Sequence, residues 1–150
     1  MSRVSSAQPR LYLDTNIFLD HFLGRRGRSS DLLREIARGQ FLGVTSHFTL
    51  SEIASVLKEL GLPQNRIHSI INQVQAFPNI DIVFHDQNMF LDMPQRILDT
   101  CVQCRDALHF MVAVFLAVDN IVTRDLGLKR AVDSVILCVT PEQLLPSSYV

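Results

Sequence analysis

In Leu11-Tyr12-Leu13-Asp14-Thr15-Asn16 an apolar run stops abruptly at an acid, and this pattern is the strongest indication of the fold. A run without alternation is typical of a strand buried on both faces, which here passes into a helix. Ile121-Val122-Thr123-Arg124-Asp125 repeats the pattern near the other end of the chain. An unpaired carboxylate is costly to bury, so an acid at the end of each core strand requires an explanation.

Apolar runs predict five strands in all, at residues 11–13, 41–44, 80–84, 121–123 and 135–139. Helical patterns separate them, at residues 16–23, 31–38, 50–60, 63–76 and 107–118, with a short final helix beginning at Thr140. Residues 86–104 are also helical in pattern, but Pro94 interrupts them. Strands that alternate with helices predict an α/β fold, a Rossmann-like three-layer sandwich around a five-stranded parallel sheet.

Bulk properties exclude several classes of protein. The length of 150 residues predicts one domain, residues 10–150, after a flexible N-terminal arm at residues 1–9. With 14 Lys and Arg against 15 Asp and Glu, the net charge of -1 gives no overall attraction to polyanions. Three cysteines and no secretory signal favour the cytoplasm. The most apolar stretch, residues 110–118, has about half of the ~20 residues that a membrane-spanning helix needs.

Four acids are expected to meet at one edge of this sheet: Asp14, Glu52, Asp106 and Asp125. Parallel strands all end at the same edge, and the helices that connect them begin there. Asp14 and Asp125 follow strand ends. Glu52 is predicted in the first turn of the helix after the second strand, and Asp106 is predicted to open the helix before the fourth strand.

Four carboxylates at one site repel one another, and a divalent cation relieves that repulsion. Hard oxygen ligands select Mg²⁺ or Mn²⁺, and Mg²⁺ typically keeps bound waters and contacts substrate phosphates. Such an ion lowers the pKa of a water and neutralises charge on a scissile phosphate. The sequence therefore predicts a phosphodiester hydrolase.

Each acid also has a purely structural interpretation. Asp14 and Asp125 would cap the helices that follow them. Thr49-Leu50-Ser51-Glu52 fits a capping box, in which Glu52 bonds back to the N-cap amide. Asp106 would complement the positive end of its helix dipole. Four separate structural roles at the same edge of the sheet are less probable than one common site that contains all four acids.

Four blocks of sequence carry a resemblance to a known family. In order they are Leu13-Asp14-Thr15-Asn16-Ile17-Phe18-Leu19-Asp20, Ser51-Glu52-Ile53, Asp106-Ala107-Leu108 and Val122-Thr123-Arg124-Asp125. The chain resembles the PIN-domain family of metal-dependent ribonucleases in these blocks, in their order and in its length. The resemblance begins at about residue 10 and covers nearly the whole chain. Each block alone is common, whereas all four in order are fairly specific.

The resemblance implies an acidic pocket in which the four acids bind Mg²⁺ or Mn²⁺. Thr15, Asn16 and Thr123 match the polar positions that accompany these acids in the family. Many compact members of this length are similar to VapC-type toxins, which form homodimers, cleave RNA and are silenced by an antitoxin. One departure concerns residues 126–129, Leu-Gly-Leu-Lys, because family members often carry an aromatic residue a few positions beyond the fourth acid. This departure affects the subfamily and not the metal site.

Four arginines gain a role from the resemblance. Arg25, Arg26 and Arg28 lie in the loop after the first helix, and Arg124 directly precedes the fourth acid. Near the mouth of a nuclease pocket they would contact RNA phosphates. The plain alternative for the loop arginines is a solvated, charged surface.

His109 is the sole polar residue between Ala107 and Val118, one turn after Asp106. A histidine in such an apolar helix is favoured as a hydrogen-bonded core residue. The alternative is that it orients Asp106.

Three functions follow from these patterns. The leading hypothesis is a metal-dependent endoribonuclease, as in the toxin of a toxin-antitoxin module. An aspartyl phosphatase also uses an acid at the end of a buried strand as its nucleophile. Such enzymes usually need a second acid two residues on, where this chain has Asn16. The third hypothesis is a non-catalytic RNA-binding domain with a vestigial pocket, which the intact acidic quartet disfavours.

Overall fold

A computed structural model describes residues 7–91, 104–133 and 135–146 of the chain. The described strands form one sheet in the order β3-β2-β1-β4-β5, and every neighbouring pair is parallel. The strands are β1 (Arg10–Leu13), β2 (Leu42–Ser46), β3 (Ile80–Val83), β4 (Asn120–Val122) and β5 (Cys138–Val139). The predicted five-stranded parallel sheet is therefore confirmed.

Helices cover both faces of the sheet. In chain order they are α1 (Thr15–Phe22), α2 (Ser29–Ala37), α3 (His47–Glu59), α4 (Gln64–Gln75), α5 (Gln87–Leu91), α6 (Cys104–Phe115), α7 (Leu126–Val132) and α8 (Pro141–Leu144). Side chains of β1 alternate between two cores. Leu11 and Leu13 pack with α1 to α4 on one face, whereas Tyr12 packs with α6 and α7 on the other. This arrangement is the predicted three-layer sandwich.

The start of α3 differs from the prediction. The helix begins at His47, directly after β2, and Ser46 is its N-cap. The proposed capping box at residues 49–52 is wrong, because Thr49 lies inside the helix and accepts a hydrogen bond from the Thr45 hydroxyl at 2.8 Å. Glu52 consequently lies in the second turn of α3 and not in the first.

Other boundaries shift less. The last strand begins at Cys138 and not at residue 135, because a turn held by the Cys138 amide and the Asp133 carboxylate precedes it. The predicted final helix begins at Pro141 with Thr140 as its N-cap, and Thr140 and Gln143 bond reciprocally in a capping box. The break predicted at Pro94, and most of the predicted arm at residues 1–9, lie outside the described residues. Every helix in the described ranges falls short of the length and apolar character that spanning a membrane requires.

The order of strands places the candidate site. β1 is the central strand and lies between β2 and β4. Asp14 follows β1 directly, α3 begins directly after β2, and Asp125 lies three residues beyond β4. Because all three strands run in the same direction, these three positions share the carboxyl edge of the sheet.

Candidate functional site

A cavity of about 140 Å³ opens at this carboxyl edge. It is lined by all four predicted acids, by two of the predicted polar positions and by three further residues: Asp14, Thr15, Asn16, Leu19, Glu52, Val56, Asp106, His109 and Asp125. The structure thus brings together the four acids that the sequence distributes over most of the chain.

Asp14 is buried and held at both carboxylate oxygens. Its Oδ1 accepts a hydrogen bond from the Thr15 amide at 2.7 Å, so Asp14 does cap α1 as the structural alternative proposed. Its Oδ2 accepts a hydrogen bond from the Thr123 hydroxyl at 2.7 Å. Because each carboxylate oxygen has two lone pairs, one hydrogen bond per oxygen orients the group without exhausting it. Capping and metal binding by Asp14 are therefore compatible.

Glu52 is oriented from two sides. The Thr15 hydroxyl donates to its Oε1 at 2.8 Å, and Nε2 of His109 makes a short contact with the same oxygen. Since the helix starts earlier than expected, this carboxylate lies one turn too far along α3 to reach the N-cap amide. Its partners belong to α1 and α6, and Glu52 lines the same cavity as Asp14.

His109 is the residue whose importance the sequence underestimated. It is only 2% exposed, and its Nε2 lies 3.6 Å from Asp14 Oδ1 as well as against Glu52. Burial alone would lower the pKa of His109, but the hydrogen bond to Glu52 and the nearby carboxylates outweigh burial and raise it. His109 is thus a hydrogen-bonded core residue, as favoured, but the partner that it orients is Glu52.

Tyr12 holds the other side of the His109 ring and was missed in the sequence. Its hydroxyl lies 2.6 Å from Nδ1 of His109 and 3.2 Å from the Ser46 hydroxyl. Burial raises the pKa of Tyr12, so the phenol keeps its proton and can donate to Nδ1. In the neutral imidazole, Nε2–H then donates to Glu52. The alternation of β1 was the available signal, because it points Tyr12 away from its two leucine neighbours and toward α6.

Asp125 lines the cavity and is exposed. Its Oδ1 accepts hydrogen bonds from the amides of Gly127 at 2.8 Å and Leu128 at 3.2 Å, so the predicted cap of α7 is present. The Thr123 hydroxyl accepts from the Asp125 amide and donates to Asp14, which links the two strand-end acids. Asp106 lies in the first turn of α6, as predicted.

The donor set fits a partly hydrated divalent ion better than a closed cage. Within the described ranges, no three His, Cys, Asp or Glu side chains stand close enough to hold a metal among themselves. Mg²⁺ characteristically binds through one or two carboxylates and keeps several waters, for which a cavity of this size has room. Carboxylate oxygens are also the ligand type that Mg²⁺ and Mn²⁺ prefer.

The predicted RNA-contacting arginines separate into two groups. Arg124 donates through Nε to Asp20 at 2.8 Å, and its two terminal nitrogens donate to both oxygens of Glu142 at 2.9 and 2.7 Å. Arg28 donates to the Leu145 carbonyl at 3.2 Å. Both guanidinium groups therefore join separate parts of the fold through hydrogen bonds.

The remaining two arginines lie at the surface of the loop between α1 and α2. Arg25 is exposed, with one guanidinium nitrogen 3.7 Å from Asp20, and Arg26 is exposed as well. Their side chains are therefore more accessible to a polyanion than those of Arg28 and Arg124.

Comparison with known proteins agrees with this architecture. The family model described as "PIN domain" matches residues 11–133. No curated protein matches the sequence significantly. Among solved structures, VapBC2 from Rickettsia felis, bound to a DNA fragment from its promoter, is similar with a TM-score of 0.66 at 13% identity, covering 87% of this chain and 98% of that chain.

Two further solved structures have the same fold. A toxin-antitoxin complex from Klebsiella pneumoniae has a TM-score of 0.59 at 19% identity, covering 87% of this chain and 97% of that chain. VapC20 of Mycobacterium tuberculosis, a toxin that cleaves the sarcin-ricin loop, has a TM-score of 0.60 at 15% identity, covering 81% and 95%. The match of the family model over most of the chain identifies it: this protein belongs to the PIN-domain family.

Proposed function

We propose that this protein is a metal-dependent endoribonuclease that hydrolyses RNA phosphodiester bonds at the carboxyl-edge cavity. The observation that carries the proposal is the meeting of Asp14, Glu52, Asp106 and Asp125 in one cavity of a PIN domain. Mg²⁺ or Mn²⁺ is the proposed cofactor, held by these carboxylates with waters completing its coordination. When bound, an ion of this kind supplies an activated water and charge neutralisation at the scissile phosphate.

The surrounding residues would fix the carboxylates in place. Thr123 holds Asp14, and Thr15 and His109 hold Glu52, so two acids are oriented before any ligand arrives. Residues that hydrogen-bond to the ligands of a metal site typically contribute 10- to 100-fold in metal affinity or activity. Asn16 lines the same cavity and is a candidate to contact the substrate or a bound water.

We further propose the role of the toxin in a toxin-antitoxin module, acting as a homodimer in the cytoplasm. One of the similar structures is a toxin-antitoxin complex, another is VapBC2 bound to a DNA fragment from its promoter, and the third is a toxin that cleaves the sarcin-ricin loop. An antitoxin protein is accordingly the proposed partner. Exposed Arg25 and Arg26 are proposed to contact RNA phosphates.

Metal removal tests the proposed activity. Purified protein is incubated with structured and single-stranded RNA in Mg²⁺, in Mn²⁺, or in EDTA. We expect cleavage with either metal, loss of cleavage in EDTA, and recovery when Mn²⁺ is restored. Cleavage that persists in EDTA, or hydrolysis of small phosphomonoesters without cleavage of RNA, would overturn the assignment.

Glu52→Gln separates a ligand from a structural glutamate. Glutamine keeps the shape and an acceptor for Thr15 but removes the charge, so we expect cleavage to fall about 100-fold while the melting temperature changes by only a few degrees. Glu59→Gln, an exposed change on the same helix, is the matched control and should alter neither. If Glu52→Gln loses stability but retains full cleavage and metal affinity, Glu52 is a structural residue and only the other three acids remain proposed metal ligands.

A further inference from the structure

A row of aromatic rings leads from the acidic cavity to the protein surface. His109, in the cavity wall, lies 5.4 Å from Phe48 between ring centroids. Phe48 lies 6.1 Å from His85, and His85 lies 5.0 Å from His47. The row ends in Phe84, whose ring stacks on His47 at 4.9 Å with an interplanar angle of 24°.

Phe84 is unusual in its exposure. It is 72% exposed, more than Leu60 at 55% and Leu137 at 56%, although one side of its ring is in contact with His47. It follows the last residue of β3, and His47 is the first residue of α3, so both lie at the carboxyl edge of the sheet with the acids. An aromatic face is thus presented to solvent on the same edge as the cavity.

A stacked pair of rings with one open face matches the size and chemistry of a single nucleobase. Proteins hold unpaired bases by stacking them on aromatic side chains, and sequence-specific recognition of RNA mostly targets unpaired loops and ends. The proposed reaction at the cavity takes place on the phosphate backbone of the RNA. An exposed aromatic ring instead binds a base. The two features lie at the same edge of the sheet and are joined by the row of rings from His109 to Phe84.

We propose that Phe84, supported by His47, is a subsite that stacks one unpaired base of the RNA substrate, a few nucleotides from the scissile bond. This inference rests on the proposed ribonuclease function and adds to it a base-binding residue outside the acidic cavity. Phe84 acts in binding and positioning, and the carboxylates carry the chemistry. Its contribution therefore falls on substrate affinity and KM more than on kcat.

Binding measurements test the subsite without turnover. In the Asp14→Asn background with Mg²⁺, short single-stranded RNAs that each carry one abasic nucleotide are titrated against protein with Phe84 or with Ala at that position. We expect Phe84→Ala to weaken binding of intact RNA about 5- to 150-fold, which corresponds to one stacked base. One abasic position should cause a similar loss with Phe84 present and almost none with alanine. Phe84→Tyr should bind like the parent.

Phe84→Trp provides a direct signal, because the chain contains no tryptophan. Stacking of a base should quench the new fluorescence, and RNA lacking the base at the critical position should not. Leu60→Ala, a comparably exposed change at the other end of α3, is the matched control and should leave RNA binding unchanged.

Three outcomes would overturn the subsite. If RNA binds equally well with Phe84 and with alanine while wild type still cleaves RNA, the proposed subsite is wrong and the proposed ribonuclease function stands. If wild type neither binds nor cleaves RNA, both the proposed subsite and the proposed ribonuclease function are wrong. Sedimentation that shows Phe84→Ala converting a dimer into monomers, with RNA binding reduced at no particular nucleotide, would assign Phe84 to an interface between copies.

Discussion

Replacement of Asp14 by asparagine should reduce RNA cleavage by roughly three orders of magnitude, or about 4 kcal/mol of transition-state stabilisation. Asparagine is nearly isosteric and keeps an acceptor for the Thr15 amide, so the fold is preserved. It removes the charge of the most buried acid of the cavity. Single-turnover cleavage of a labelled RNA in Mg²⁺ measures the effect.

Asp81→Asn is the control for that experiment. Asp81 lies exposed in β3, so the same chemical change is made outside the cavity, and cleavage should stay within twofold of wild type. Melting temperatures of both variants should stay within a few degrees of wild type. Near-normal cleavage by a folded Asp14→Asn protein would remove Asp14 from the reaction.

Arg124→Ala should destabilise the protein by about 2–3 kcal/mol and lower the melting temperature by roughly 5–10 °C. Arg124 ties the end of β4 to α1 through Asp20 and to α8 through Glu142. Asp20 is 7% exposed, so loss of this partner leaves a largely buried carboxylate with Ser29 and a weaker contact to Arg25. Urea unfolding and thermal melts measure the loss.

The same variant decides between structural work and RNA contact for Arg124. A structural arginine changes stability, whereas a phosphate-contacting one weakens RNA binding, reduces its salt dependence and leaves the melting temperature unchanged. Arg66→Ala, an exposed change on α4, provides the stability control and should have almost no effect. An unchanged melting temperature for Arg124→Ala would contradict the structural role.

The hydrogen bonds to Arg124 lower the pKa of Glu142 to about 2 and so set the pH range of this contribution. A lowered carboxyl pKa contributes stability that is fully present above the unfolded value of about 4.3 and is lost as the pH falls through about 2. The difference in stability between wild type and Arg124→Ala should therefore persist near pH 5 and shrink in strong acid. Because Glu142 is largely exposed, its own share of the difference is small.

The sheet was predictable because parallel strands buried on both faces leave near-continuous apolar runs. The same signal overextended β5, since apolar residues at 135–137 form a turn before the strand begins at Cys138. The start of α3 was misplaced because its true cap, Ser46, makes no capping hydrogen bond and instead lies beside Tyr12. Thr49 offered a false capping signal while its hydroxyl bonds to Thr45.

The convergence of the four acids was predictable from topology, but their detailed orientation was not. Parallel strands bring Asp14 and Asp125 to one edge whatever the side chains do. The contact of His109 with Glu52 depends on how α6 packs beside α3, which spacing within one helix cannot show. The ion pairs of Arg124 likewise join three elements far apart in sequence. Both are tertiary effects and leave no local pattern.

Titration with Mn²⁺ shows whether the carboxyl-edge cavity is a divalent metal site. Electron paramagnetic resonance of free Mn²⁺, titrated into metal-free protein, counts bound ions without requiring an RNA substrate. We predict that wild type binds Mn²⁺ in competition with Mg²⁺, that Glu52→Gln binds it more weakly, and that Asp14→Asn loses the tightest binding. Equal binding of Mn²⁺ by wild type and Asp14→Asn, or no binding by wild type, would show that this cavity is not the divalent metal site.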